Sequence, residues 1–223
     1  MPNIVERSYY SGQDSSPPFV VDTPPFHKLP QAPSIPGLIA GGRVSVEISY
    51  RIDRIQDLVT EASNAYYTER SRYGGLSYFF AVESLLISMR RVIDDAVMSV
   101  YCSTHKEEVA KSKRVAVDGY GGLFKAGRLT AFGRQFFSQY VTPNEEALEV
   151  LVDLSNSYKH SYLLPESRAW GVDFPTVLTI HAPRNDYSKE ITYHNHSLGQ
   201  IVIAFNQVLA GFVKGEAQRP RTA

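Results

Sequence analysis

The chain has 223 residues, 43% of them apolar, with Lys plus Arg balanced by Asp plus Glu at 23 each and one cysteine. Zero formal charge excludes a bulk field that would draw the molecule to nucleic acid or a membrane surface, so such a partner must be read by a local patch. Cys102, the lone thiol, excludes an intrachain disulfide and a thiolate-rich metal cluster, and it reads as a buried, inert side chain. No apolar run reaches signal-peptide form or approaches the roughly 20 residues of a membrane span. A cytoplasmic protein without membrane attachment is expected.

Eight of the thirteen prolines precede position 37. Proline fixes its own φ and lacks the N–H that helices and central strands need, so residues 1–44 are expected to form an extended or partly disordered arm. Phe19, Val20, Val21, Phe26 and Leu29 give that arm enough apolar surface to dock. A single domain is expected over 45–214, with a frayed tail at 215–223.

From Val46 the period becomes helical. Ile48, Ile52, Ile55, Val59, Ala62 and Tyr66 recur every three or four residues, with Arg51, Asp53, Arg54, Asp57 and Glu61 on the other side. Gly74 and Gly75 favour a turn. A second helix follows, whose wide apolar face, Leu76, Phe79, Phe80, Val82, Leu86, Met89, Ile93, Val97 and Val100, suits the centre of a bundle. Two long helices joined by a short turn are expected to pack antiparallel. Residues 103–142 read as a short helix near 105–115, a glycine-rich turn at Asp118–Gly122 and a helix near 129–140.

TPNEE then marks a helix start: Thr142 can cap, Pro143 suits the first position, and Glu145 and Glu146 meet the positive end of the dipole. Ala147, Leu148, Leu151, Leu154, Tyr158 and Tyr162 form its apolar face. Beyond Pro165 the period changes to two, and TVLTI and EITY read as a β-hairpin near 176–193, which must lean on the helices. Ser197 can cap a last helix carrying Ile201, Ala204, Phe205, Val208, Leu209 and Phe212. The fold expected is mainly α, an antiparallel helical bundle with a small β-hairpin and an extended Pro-rich N-terminal arm.

Reactive groups concentrate in NSYKHSY. Asn156 and His160, four apart, share a helix face with Asp153 close by, and a neutral imidazole there suits proton transfer near neutral pH. The bland reading is a polar helix flank with Lys159 solvated. A helical bundle whose late helix ends a short polar motif in His resembles the HEPN superfamily, many of whose members are metal-independent RNases acting as dimers. The resemblance implies His160 as general base toward a ribose 2′-hydroxyl, with Asn156 standing where that family carries Arg. The missing guanidinium would be the phosphate clamp. Arg90 or Arg91 could replace it if the central helix lies beside His160. Ion pairs of Arg90 with Asp94 or Arg91 with Asp95 explain them more simply.

Three further patterns bear on chemistry. No Glu-x-x-His occurs, which argues against a carboxylate-bridged metal bundle. His194 and His196 share one strand face, and with His181 on the facing strand they could offer three imidazoles to zinc, although solvated histidines near a turn are the plainer reading. Neither metal nor cofactor is therefore expected. The basic run Lys111, Lys113, Arg114, Lys125 and Arg128, interleaved with Tyr120, Phe124, Phe132, Phe136 and Phe137, could, with Lys159, hold single-stranded RNA by phosphate contact and stacking. The aromatics follow helical spacing and equally suit a core. Fourteen tyrosines, large contact groups with few rotors to freeze, favour a homo-oligomer. The reading favoured is a non-catalytic binding or self-associating bundle, with an RNase or RNA-binding protein as the alternative.

Overall fold

A computed structural model describes residues 3–8, 18–68, 74–160, 174–182 and 186–219, with backbone alone at Gly74, Gly75 and His160. The chain is mainly helical, with two small sheets among the described residues. In order it forms β1 (Ile4–Arg7), α1 (Gly41–Thr68), α2 (Gly74–Thr104), α3 (Lys106–Ser112), β2 (Phe124–Lys125), β3 (Arg128–Leu129), α4 (Ala131–Phe136), α5 (Glu145–His160), β4 (Thr176–His181), β5 (Ile191–Ser197) and α6 (Leu198–Ala217). Residues divide into two compact units: Met1–Val21, Arg54–Arg90 and Glu146–Asn206 in the first, Asp22–Asp53, Arg91–Glu145 and Gln207–Ala223 in the second.

The first unit carries a three-stranded sheet of order β1-β5-β4. β4 and β5 pair antiparallel with Thr176 opposite Ser197 and His181 opposite Thr192, as the hairpin patterning predicts. β1 adds in parallel, Ile4 beside Ile191 and Arg7 beside His194. Helical layers supply the core: Ile55, Val59 and Ala62 of α1, Val82, Leu85 and Met89 of α2, Leu148, Leu151 and Leu154 of α5, and Ile201 and Phe205 of α6 are buried. Aromatic contacts bind these layers, Tyr66 to Tyr78 edge-on at 5.4 Å between ring centroids and Phe79 stacked on Tyr158 at 5.4 Å. Ser197 caps α6 through a reciprocal box: its hydroxyl accepts from Gln200 N–H at 3.1 Å, and Gln200 Oε1 accepts from Ser197 N–H at 2.9 Å.

In the second unit, Phe132 and Phe136 of α4 are buried with Phe212 of α6 and Tyr140 of a single π-helical turn at Phe137–Val141. Thr130 caps α4, its hydroxyl accepting from Gly133 N–H at 2.9 Å. Gly133 must be glycine, because a Cβ there would collide with the Leu123 carbonyl oxygen. β2 and β3 close through Ala126 and Gly127, both at positive φ (50° and 77°), a type I′ pattern.

Several expectations are corrected. The N-terminal arm is not merely extended: β1 joins a sheet and Phe26–Lys28 makes a 3₁₀ turn, while Phe19, Val21 and Leu29 are buried in keeping with the docking expected of them and Val20 and Phe26 stay exposed. α1 starts at Gly41 rather than near Val46. Leu76 and Phe80 lie exposed while Tyr78 takes the inward place. α5 starts at Glu145, with the Thr142 hydroxyl donating to the Glu145 carboxylate ahead of it and not capping an N–H. Among the described residues one helix, α6, does pass as a membrane span by length and composition, with mean hydropathy 1.3, but 61% of that window is buried within the protein as core.

Candidate functional site

Period two on β5 sends His194 and His196 to one face, and the β4 register sends His181 to the same face, since directly opposed residues share a side. The parallel pairing of Arg7 with His194 adds a guanidinium to that face. α5 meets it with Glu149 and Asp153, four apart and therefore stacked on one helical side. Arg7 bridges both carboxylates, Nη2 to Glu149 at 3.2 Å and Nη1 to Asp153 at 3.5 Å. His181 Nδ1 lies 3.2 Å from the Asp153 carbonyl oxygen, which it can reach only as donor, and 3.8 Å from the Asp153 carboxylate.

The other two imidazoles are sealed. His194 is 0% and His196 1% exposed, against the solvated placement expected. His194 Nδ1 lies 3.1 Å from His196 Nε2, so one ring donates and the other accepts, and a single proton occupies that line. The far nitrogen of His194, Nε2, is buried with no hydrogen-bond partner among the described residues. Burial, then His196, Arg7 and His181, hold His194 down to about 3; burial, then Arg7, holds His196 down to about 4. Both rings are neutral at pH 7. Burial pushes the Asp153 carboxyl above its ordinary range, and His181 and Arg7 pull it back.

Among the described residues, no three His, Cys, Asp or Glu side chains are arranged to hold a metal ion. A recess of about 610 Å³ lies elsewhere on the first unit, lined by Asp57, Thr60, Glu61, Asn64, Ala65, Thr68 and Ser77, none of them in the imidazole cluster. What the cluster can do is join elements. Its charges tie β1 to α5, and its neutral rings pair with each other.

The residues singled out from sequence fall in both units. Asn156 is half-buried and Lys159 exposed on α5, whose last residue is His160; the His160 side chain lies outside the described residues. Arg90 acts on Asp153, seven residues before His160, which is about 10 Å back along a helix. Arg91 instead pairs with Asp95 at 3.1 Å, the simpler partner expected, and Arg51 reaches the same carboxylate at 3.7 Å. Lys111, Lys113 and Arg114 are exposed at and beyond the end of α3, and Lys125 and Arg128 oppose each other, exposed, across β2 and β3. All five belong to the second unit and Lys159 to the first. The interleaved aromatics pack with one another: Tyr120 lies 5.2 Å from Phe124, Phe124 lies 6.0 Å from Phe137, and Phe132 and Phe136 are buried.

Arg7 and Glu149 were missed by sequence reasoning. The signal was present in IVER, an alternation too short to separate from coil. No family model, curated protein or solved structure matches the chain.

Proposed function

We propose that this is a non-catalytic binding protein that acts by associating with a second copy of itself, and that its polar cluster serves as an internal fastening. The observation that carries this reading is how the reactive groups are spent. Arg7 is engaged by Glu149 and Asp153, His181 by the Asp153 carbonyl, and His194 by His196. A general base must reach a substrate proton, and a buried neutral ring bonded to its neighbour reaches none. Large apolar side chains stand exposed meanwhile and are available for contact, Ile4 at 66% and Phe80 at 57% in the first unit and Tyr50 at 70% in the second.

Sedimentation velocity over a hundredfold concentration range tests it. Association appears as a rising weight-average mass, and a constant monomer mass refutes the reading. Incubation with single-stranded RNA in EDTA tests the catalytic alternative, a HEPN-like RNase with His160 as general base; cleavage that disappears in His160→Ala would replace our reading.

A second reading, RNA binding without cleavage, is favoured by one observation: Lys125 and Arg128 face each other across a strand pair, where like charges repel unless an anion lies between them. Fluorescence polarisation with labelled RNA would then show binding that weakens with salt and with Lys125→Ala.

A further inference from the structure

The three-stranded sheet has two edges. On β4, the Tyr78 hydroxyl donates to the Thr176 carbonyl at 2.6 Å and the Tyr158 hydroxyl to the Leu178 carbonyl at 3.4 Å, so side chains from α2 and α5 occupy outward acceptors two residues apart. β1 has no such cover among the described residues: Ile4 is 66% and Val5 40% exposed, and Glu6 is exposed.

The backbone of β1 settles which groups are on offer. Ile191 N–H donates to the Asn3 carbonyl at 2.9 Å. In a parallel ladder alternate residues turn both N–H and C=O to the same neighbour, so Val5 and Arg7 face β5 while Ile4 and Glu6 present theirs at the open edge. An open edge with unpaired donors and acceptors is a template for another strand.

We infer that this edge is the seat of a second copy's β1, paired antiparallel about a twofold axis at Val5, so that two three-stranded sheets become one of six strands. The inference rests on the association reading above and names its surface. Only residues with outward backbone groups can form the hydrogen-bonded pairs, which leaves three symmetric registers: Ile4 on Ile4, Glu6 on Glu6, or Ile4 on Glu6. Counting Ile4–Arg7 alone, the first two exchange two backbone hydrogen bonds, and the second also sets carboxylates face to face. Ile4 on Glu6 exchanges four. It puts Val5 directly across from Val5 in the close, non-hydrogen-bonded position, sets Arg7 across from Asn3, and opposes no like charges. The twofold makes the contact self-complementary and closed, so it ends at a dimer.

Cysteine cross-linking reads the register. Non-hydrogen-bonded antiparallel pairs bring Cα atoms to about 4.5 Å, within disulfide reach. Val5→Cys is expected to form a covalent dimer on mild oxidation, while Glu6→Cys does not, and the wild-type chain, whose Cys102 is 0% exposed, stays unlinked. Ile4→Pro deletes an outward donor at an edge position where proline is tolerated, so far-UV dichroism and melting of the monomer should hold while dimer dissociation rises at least about tenfold. Equal cross-linking by Val5→Cys and Glu6→Cys, or an Ile4→Pro dimer as tight as wild type, overturns the β1 seat, and a persisting wild-type dimer would leave the association reading intact. A wild type that is monomeric throughout overturns both.

Discussion

The two edges of one small sheet are held in different ways. β4 is closed by phenol hydroxyls from two helices and has four consecutive buried residues, Thr176 to Thr179; β1 is four residues long, mostly exposed, paired with β5 and tied to α5 by one guanidinium. Phenols bonding backbone carbonyls both satisfy the edge and deny it to another strand. An ion pair fixes β1 from its side-chain face and leaves untouched the outward backbone groups of Ile4 and Glu6, those that do not face β5. Arg7 and Asp153 thus hold β1 in place without consuming the groups by which it could pair.

Breaking that anchorage should have the largest effect. Asp153→Ala removes the carboxylate shared by Arg7 and His181; a fully buried pair loses about 3–5 kcal/mol when one member is deleted, and with Arg7 and Asp153 side chains 26% and 30% exposed a loss of about 2–3 kcal/mol is expected from denaturant unfolding. The β1 amides should exchange faster as well. Opening the other edge should cost less. Tyr78→Phe takes the donor from a buried carbonyl, about 1–2 kcal/mol by the same measurement.

Acid sharpens the contrast. His194 and His196 sit at about 3 and about 4, below an ordinary value of 6.5. Their folded values are depressed, so below pH 6.5 the unfolded chain binds protons that the folded sheet refuses, and stability present above 6.5 is lost as pH falls toward 4 and then 3. Asp153, raised from its ordinary 3.8, contributes with the opposite sign, so the imidazoles set the upper part of this window. Thermal melts stepped downward from neutral pH should show a falling Tm, and substituting both imidazoles by Gln should flatten it. The smallest effect is expected at Tyr158→Phe, under about 0.5 kcal/mol, because its bond to Leu178 is long at 3.4 Å.

What could be read from sequence follows from the range of each interaction. The long helices were legible because Ile48, Ile52, Ile55 and Val59 repeat a local period, and the hairpin was legible because TVLTI and EITY alternate. α6 and its Ser197 cap were legible for the same reason. β1 was not: IVER gains its strand character from β5, whose Ile191 lies 187 positions beyond Ile4, and nothing local specifies that pairing. The β2–β3 turn was hidden by Ala126, which holds a left-handed conformation that Asn or Gly would have advertised. At the cluster, the shared face of His181, His194 and His196 was visible in the pleat, while their burial was not, because the Arg7 and Asp153 that cover that face come from elements distant in sequence. The motif around His160 was conspicuous in sequence, but its imidazole lies outside the described residues, and the reactive groups seen together among those that are described belong to other positions.

Amide hydrogen exchange, resolved by residue and followed from dilute to concentrated protein, tests the central claim most directly. The account predicts that Val5 and Arg7 amides, bonded to β5, are protected at every concentration, while Ile4 and Glu6 amides are unprotected when dilute and gain protection together as the protein is concentrated. Ile4 and Glu6 amides that exchange at the unprotected rate at the highest concentration would contradict it.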